Sequence, residues 1–371
     1  MPIELPPLLA SSTQEGELYE RLPNRRVRCL ACGHRCPIPD GALGVCKVRY
    51  NAGGRLLVPW NYVANVQCDP IEKKPFFHAF PGSTTYSFGM FGCDLHCAYC
   101  QNWVTSQAIR DPDAAVTPVE RSSHDLVDEA IRSGARVMVS TYNEPLITAE
   151  WGVAVFQAAR AAGMATAFVS NGNATPEVVD YLRQWVDLYK VDLKSFDDRR
   201  YRRLGGRLAP ILDSIQRLHD AGIWVEIVTL LIEGFNDEPD EIAALTRFIA
   251  DVSPEIPWHV TAFHRDYRMK NPGDTTPQML VRAAEIGRLA GLKFVYAGNQ
   301  PGRVGDLENT RCSTCGARVI ERRGFSLLEY ALSPEGNCGS CGAPVPGRWG
   351  VPPTQRATNH THRALGSEPS V

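Results

Sequence analysis

The sequence lacks a long hydrophobic run: its most apolar stretch, Ile223 to Ile232, is interrupted by Glu226, far short of the ~18 apolar residues of a membrane helix. No export leader is expected, because Met1-Pro2-Ile3-Glu4 supplies neither a basic start nor an apolar core. Neither charge sign dominates. With 39 Lys plus Arg against 41 Asp plus Glu, no global field gathers nucleic acid or an anionic membrane. These absences predict a cytoplasmic protein with no membrane partner. No internal repeat is present beyond a β-α alternation and recurring cysteine pairs. At 371 residues, 44% hydrophobic and 22% charged, the chain is too long for a lone small module and too apolar for a disordered one.

Cysteine is what the sequence has in quantity, twelve in all. In a reducing compartment, close cysteine pairs are metal ligands more often than disulfides. Three groups stand out: Cys29, Cys32, Cys36 and Cys46; Cys93, Cys97 and Cys100; and Cys312, Cys315, Cys338 and Cys341. Cys68 stands alone and reads as a small buried hydrophobe.

Between about Tyr86 and Gly305, short β-branched or aromatic runs alternate with helical patterns, which predicts an α/β fold of repeated parallel β-α units. Strands are expected near 84–90, 136–140, 165–170, 187–193, 223–231, 257–263 and 293–297. Pro in a first turn marks helix starts at Thr117-Pro118, Thr175-Pro176, Glu238-Pro239 and Thr276-Pro277; Gly134, Gly163, Gly222 and Gly291 mark ends. A barrel and a doubly wound sheet both fit this series. Either one gathers ligands at the carboxyl edge of its strands, where Tyr142-Asn143-Glu144, Ser170-Asn171-Gly172, Asp192-Leu193-Lys194 and Gly298-Asn299 fall.

Residues 92–102 form a C-x3-C-x2-C loop directly after the first of these strands, with Tyr99 before the last cysteine. Three thiolates are one too few for structural zinc, unless His96 completes the set. A [4Fe-4S] cube held by three thiolates instead keeps one iron open to an outside molecule, where the usual cluster takes four protein ligands.

The loop resembles the signature of the radical S-adenosylmethionine (SAM) superfamily, whose fold is a partial (β/α)6 TIM-like barrel with the cluster loop after its first strand. Asp69-Pro70-Ile71-Glu72-Lys73-Lys74-Pro75, Pro81-Gly82-Ser83 and the loop with Gln101-Asn102 look like the branch related to pyruvate formate-lyase activating enzymes. Together with Tyr142-Asn143-Glu144-Pro145 and both flanking cysteine sets, they look like the radical SAM enzymes of the AmmeMemoRadiSam system. The resemblance implies that Cys93, Cys97 and Cys100 hold a [4Fe-4S] cluster whose open iron binds SAM, and that reductive cleavage yields a 5′-deoxyadenosyl radical for hydrogen abstraction. It implies SAM contacts from Tyr99, Asn143, Glu144, Asn171, Asp192 and Lys194. It also implies an electron donor such as flavodoxin or ferredoxin, and partners of the Memo and AMMECR1 types. Val169-Ser170-Asn171-Gly172 departs from the Asp-Thr-Asn-Gly that activating enzymes often carry, and Glu233-Gly234 from their Pro-Gly.

The C-terminal Cys312-x2-Cys315 and Cys338-x2-Cys341 pairs have zinc-ribbon spacing, with Gly316 and Gly342 allowing the tight knuckles. Cys29, Cys32, Cys36 and Cys46 fit zinc or an auxiliary iron–sulfur cluster, with His34 as a competing ligand. The expected organisation is an N-terminal four-cysteine extension (1–50), a lead-in (51–85), a radical SAM core (86–305), a zinc-ribbon-like module (306–350) and a disordered tail (351–371) holding His360 and His362. His259 and His264 are candidates to touch substrate or SAM. The runs Arg25-Arg26-Val27-Arg28 and Arg199-Arg200-Tyr201-Arg202-Arg203 make RNA or a nucleoside a second candidate substrate. A glycyl-radical-enzyme activase is the competing enzymatic reading, and a zinc-binding scaffold the non-enzymatic one.

Overall fold

The computed structural model describes residues 11–114 and 116–350; the tail expected at 351–371 lies outside them. The expected strands form one sheet, together with an antiparallel strand at its edge: β1 (Asn65–Pro70), β2 (Thr84–Gly89), β3 (Val137–Ser140), β4 (Ala165–Ser170), β5 (Leu188–Asp192), β6 (Trp224–Leu231), β7 (Trp258–Ala262) and β8 (Val295–Gly298). Strands β2 to β8 are parallel, and β1 runs antiparallel to β2. Neighbours in the sheet are neighbours in sequence throughout, from β1 to β8. A doubly wound sheet reverses its strand order; this one does not, so the singly wound barrel alternative holds. The two ends of the sheet, β1 and β8, are not paired with each other, which leaves the barrel open. The segment expected as a lead-in thus supplies an edge strand of the core.

Helices α1 (Ser123–Arg132), α2 (Ala149–Ala161), α3 (Pro176–Leu182), α4 (Leu208–Asp220), α5 (Pro239–Val252) and α6 (Pro277–Leu289) cover the outside. Thr175 and Thr276 cap their helices through side-chain oxygens, each followed by the expected Pro. Thr117-Pro118 does not start a helix. Ser122 and Asp125 form a reciprocal capping box that starts α1 five residues later, while Val119–Glu120 pairs with Tyr62–Val63.

Alternate strand residues point to opposite sides. Met138, Phe168, Tyr189 and Ile227 pack outward in the main core with the helices. Val137, Val139, Ala167 and Leu188 instead meet Ile71, Phe76 and Ala79, so the segment after β1 plugs the floor of the barrel. Beneath it sits the C-terminal three-stranded sheet, Thr310–Arg311, Arg318–Arg323 and Ser326–Tyr330. Arg322 is the anchor: its guanidinium donates to the Phe77 carbonyl at 2.7 Å and to Thr310 at 2.8 Å.

Two small antiparallel sheets make up the N-terminal part. They dock on the first turn of α2, where buried Arg49 pairs with buried Glu150 and donates to the Ile147 carbonyl at 2.7 Å. Leu18 and Glu17 add backbone donors to the same Glu150 carboxylate.

Candidate active site

The cluster loop leaves β2 at the carboxyl edge and turns at Gly92, whose φ is +95°. A Cβ there would lie 2.9 Å from Val48 Cγ1 and 3.0 Å from the Cys46 carbonyl oxygen, so only glycine lets the N-terminal part approach this closely. Beyond it, Cys93, Cys97 and Cys100 pack with Leu95, Tyr99, Leu204, Ile232, Phe235 and Phe263 in one apolar cluster. Burial raises all three thiol pKa values, Cys97 to about 12. Such thiols ionise only beside strong positive charge, which a metal centre supplies. His96 lies exposed against Gly205, so the fourth zinc ligand considered from the sequence faces solvent. The donor set, three thiols of one loop in apolar surroundings, fits an iron–sulfur cluster with one corner free of protein.

Polar groups from the strand ends surround this loop. Lys194 follows β5 and contacts Asp192 at 3.5 Å, while Asp192 also pairs with Lys190. Burial opposes the Lys194 charge, but Asp192, Cys97 and Tyr99 outweigh it and raise its pKa well above the ordinary value. Its backbone N–H donates to the Tyr201 hydroxyl at 2.9 Å. Tyr99 is buried, its ring edge-on to Phe235 at 5.6 Å.

Asn143, Glu144 and Asn171 come together as a linked network. Asn143 Oδ1 accepts from Met90 N at 3.0 Å and so pins the start of the loop. Glu144 accepts from Ser170 Oγ (2.6 Å), Asn171 N (2.8 Å) and Leu146 N (3.1 Å). Burial, then the charge of Asp94, raises its pKa to about 8. Asn171 Nδ2 donates to Asp94 Oδ1, and Asn173 Nδ2 to Asp94 Oδ2, both at 2.7 Å. Sequence reasoning missed Asp94 and Asn173, and it read His34 as a competing metal ligand, whereas its Nε2 lies 3.1 Å from the Asp94 carbonyl oxygen. No local pattern marks them, since Asn173 is 79 residues from its partner. It also missed a buried Lys74, 2.9 Å from Asp69 and 3.0 Å from the hydroxyl of Tyr142. Tyr142 stands at φ +70°, a conformation that a bulky residue keeps only when its surroundings hold it.

Several expectations are corrected. Cys68 is exposed on edge strand β1, not buried. His259 lies within β7 and pairs with Glu226 at 2.7 Å near the floor, away from the cluster loop; His264 is exposed. Of the seven arginines in the two basic runs, four pair with acids: Arg25 with Asp40, Arg28 with Glu20, Arg200 with Glu241 and Arg202 with Asp198.

In the C-terminal module, the four thiols of Cys312, Cys315, Cys338 and Cys341 all lie within 4.8 Å of one another. Cys312–Cys341 and Cys315–Cys338 stand at 3.7 and 3.8 Å. A tetrahedral ion with Zn–S of ~2.3 Å requires S–S edges of ~3.8 Å, so this set fits one zinc. Two matching turns build it: Gly316 N donates to the Cys312 carbonyl and Gly342 N to the Cys338 carbonyl, both glycines at φ +74°. Backbone N–H groups of Cys341 and Ser340 lower the Cys338 pKa to about 6. Cys29, Cys32 and Cys46 are buried and Cys36 half-buried, and no three of them share the 4.8 Å spacing. Among the described residues, no helix is long and apolar enough to cross a membrane.

A three-thiol loop at the carboxyl edge of a singly wound parallel sheet defines a class of iron–sulfur enzymes, and the chain belongs to the radical SAM superfamily, whose pattern matches residues 88–246. It is 34% identical over 335 residues to an uncharacterised protein of Methanocaldococcus jannaschii, covering 90% of this chain and 98% of that one. It is 30% identical over 219 residues to the pyruvate formate-lyase-activating enzyme of Listeria monocytogenes serovar 1/2a, covering 53% of this chain and 82% of that one. Among solved structures, a domain of the pyruvate-formate lyase-activating enzyme from Bacteroides vulgatus ATCC 8482 is similar at 24% identity and TM-score 0.38, covering 43% of this chain and 98% of that one.

Proposed function

We propose that this chain is a radical SAM enzyme of the AmmeMemoRadiSam type, acting in the cytoplasm on a small molecule or a partner protein. The observation that carries this reading is the packing of Cys93, Cys97 and Cys100, three thiols of one loop at the carboxyl edge of the sheet, in one apolar cluster while His96 faces outward. When bound, the cluster and SAM together supply one-electron cleavage of the S–C5′ bond and a hydrogen-abstracting 5′-deoxyadenosyl radical. Cys93, Cys97 and Cys100 anchor the cluster. The Lys194 ammonium, half-buried and paired with Asp192, would face the carboxylate of SAM. Asn143, Glu144 and Asn171 hold the strand ends that frame the amino group, and Tyr99 forms one wall for the adenine. The apolar side chains Leu204, Ile232, Phe235 and Phe263 exclude water, which protects a radical from quenching.

A glycyl-radical activase is the second reading, favoured by the name of the Listeria relative. Modification of RNA or a nucleoside is disfavoured, because four of the arginines that suggested it are paired with carboxylates. The flanking modules suit docking to Memo-type and AMMECR1-type partners, and a flavodoxin or ferredoxin suits electron supply. The test is anaerobic turnover with SAM and dithionite. The wild type is expected to release 5′-deoxyadenosine and Cys97→Ala none; equal release from both would refute the assignment. Deuterium carried from a labelled substrate into 5′-deoxyadenosine then separates a peptide glycine from a small metabolite.

A further inference from the structure

The N-terminal cysteines and the cluster loop touch on both sides of Cys93. On one side, the Cys46 carbonyl approaches the Gly92 Cα so closely that a Cβ would sit 3.0 Å away. On the other, the Cys32-Gly33-His34 turn lies on Asp94: His34 Nε2 is 3.1 Å from the Asp94 carbonyl, and Gly33 N donates at 2.8 Å to the carbonyl of Asn173, whose side chain holds the Asp94 carboxylate. Three of the four cysteines are buried and Cys36 is half-buried, and hydrogen bonds tie Cys29 and Cys36 to this part of the chain. Cys29 N donates to the Cys36 carbonyl at 3.0 Å, Arg49 Nη1 reaches the Cys29 sulfur at 3.6 Å, and Val45 N reaches the Cys36 sulfur at 3.5 Å.

The molecule contains its own standards for what such a set can hold. The C-terminal sulfurs, spaced for one tetrahedral ion, all lie within 4.8 Å of one another. Among the described residues, no three of the N-terminal donors do, and neither do Cys93, Cys97 and Cys100. Sulfurs bound to different irons of a cluster stand farther apart than sulfurs sharing one ion. The N-terminal set therefore lacks the single-ion spacing of the knuckles. The N–H groups of Arg49 and Val45 aimed at its sulfurs are of the kind that tune cluster potentials.

We infer that Cys29, Cys32, Cys36 and Cys46 bind a second iron–sulfur cluster, seated against Cys93 as the electron entry to the SAM-binding cluster. In each transfer, one electron leaves the reduced second cluster and enters the oxidised cluster of Cys93, Cys97 and Cys100. A low-potential one-electron carrier protein then restores the second cluster. The site itself stands on the N-terminal geometry alone; the relay rests also on the proposed SAM chemistry.

The test is metal and sulfide analysis, after anaerobic reconstitution, of the full chain carrying Cys93→Ala, Cys97→Ala and Cys100→Ala. The variant is expected to stay brown and keep about half of the wild type's iron and sulfide, as one cluster of two. A colourless variant, with zinc or without it, overturns the inference. Should that variant fail to fold, Cys29→Ser/Cys46→Ser gives the converse readout: iron falls by about half, whereas unchanged iron with loss of zinc overturns the site. The fully reduced wild type is expected to show an EPR spectrum broadened by coupling between two clusters, sharpening in either variant; two unbroadened signals overturn the relay. A wild type that takes up no iron at all would instead defeat the proposed function.

Discussion

Acidification from pH 7 to pH 5 is expected to weaken the protein by about 2 kcal/mol through one ring, that of His78. This imidazole is fully buried between the barrel floor and the C-terminal module, 2.6 Å from the Pro346 carbonyl through Nδ1 and 2.6 Å from the Tyr296 hydroxyl through Nε2. A carbonyl only accepts, so Nδ1 carries the proton and Nε2 accepts from Tyr296. Tyr296 in turn accepts from Thr310 at 2.9 Å, and Thr310 accepts from Arg322 at 2.8 Å. Every proton in the chain from Arg322 to Pro346 is thus directed one way, and a second proton on His78 would confront that of Tyr296. Burial above all lowers the His78 pKa from 6.5 to about 4, with Arg322 and His259 adding to the fall against the opposing pull of Glu226 and the Pro346 carbonyl. A depressed histidine pKa means that the unfolded chain takes up the proton first, so stability is lost as pH falls from 6.5 towards 4. The full loss is about 3 kcal/mol, of which about 2 kcal/mol is gone by pH 5. Urea unfolding of the wild type and His78→Gln at pH 7 and pH 5 measures it, because every other acid-sensitive group is common to both. The wild type should lose about 2 kcal/mol more than the variant. Equal losses would refute the reasoning.

Lys194→Met removes a charged partner worth about 1.5–3 kcal/mol; SAM affinity, measured by calorimetry on the reconstituted protein, should fall about 10- to 100-fold with iron content unchanged. Arg49→Met leaves Glu150 buried and unpaired, so chemical unfolding should report a loss of about 3–5 kcal/mol, largely recovered in Arg49→Met/Glu150→Gln. Cys338→Ala should cost about one zinc per chain by metal analysis while the brown colour persists; retained zinc would contradict the four-thiol site.

The β-α series was legible because it is local. Thr175-Pro176 and Thr276-Pro277 start helices, and Gly163 and Gly222 end them, through contacts within a few residues. The three cysteines of the loop were legible for the same reason. Thr117-Pro118 misled because a capping box a few residues later is the stronger start. His259 misled because its Glu226 partner sits on the neighbouring strand. Cys68 misled because burial at a sheet edge depends on what covers it, which alternation in one strand does not reveal. The association of Asp94 with Asn171, Asn173 and His34 was not legible for a different reason: its partners stand 60 to 79 residues from Asp94 and meet only once the sheet has folded. Glu144 was legible as a residue of the site, but not as one whose oxygens are already committed to Ser170, Leu146 and Asn171.

Low-temperature EPR of the reduced protein, recorded with and without SAM, addresses the open corner of the cluster more directly than turnover does. A signal dependent on Cys93, Cys97 and Cys100 should change shape when SAM is added. A spectrum indifferent to SAM would mean that the corner is closed.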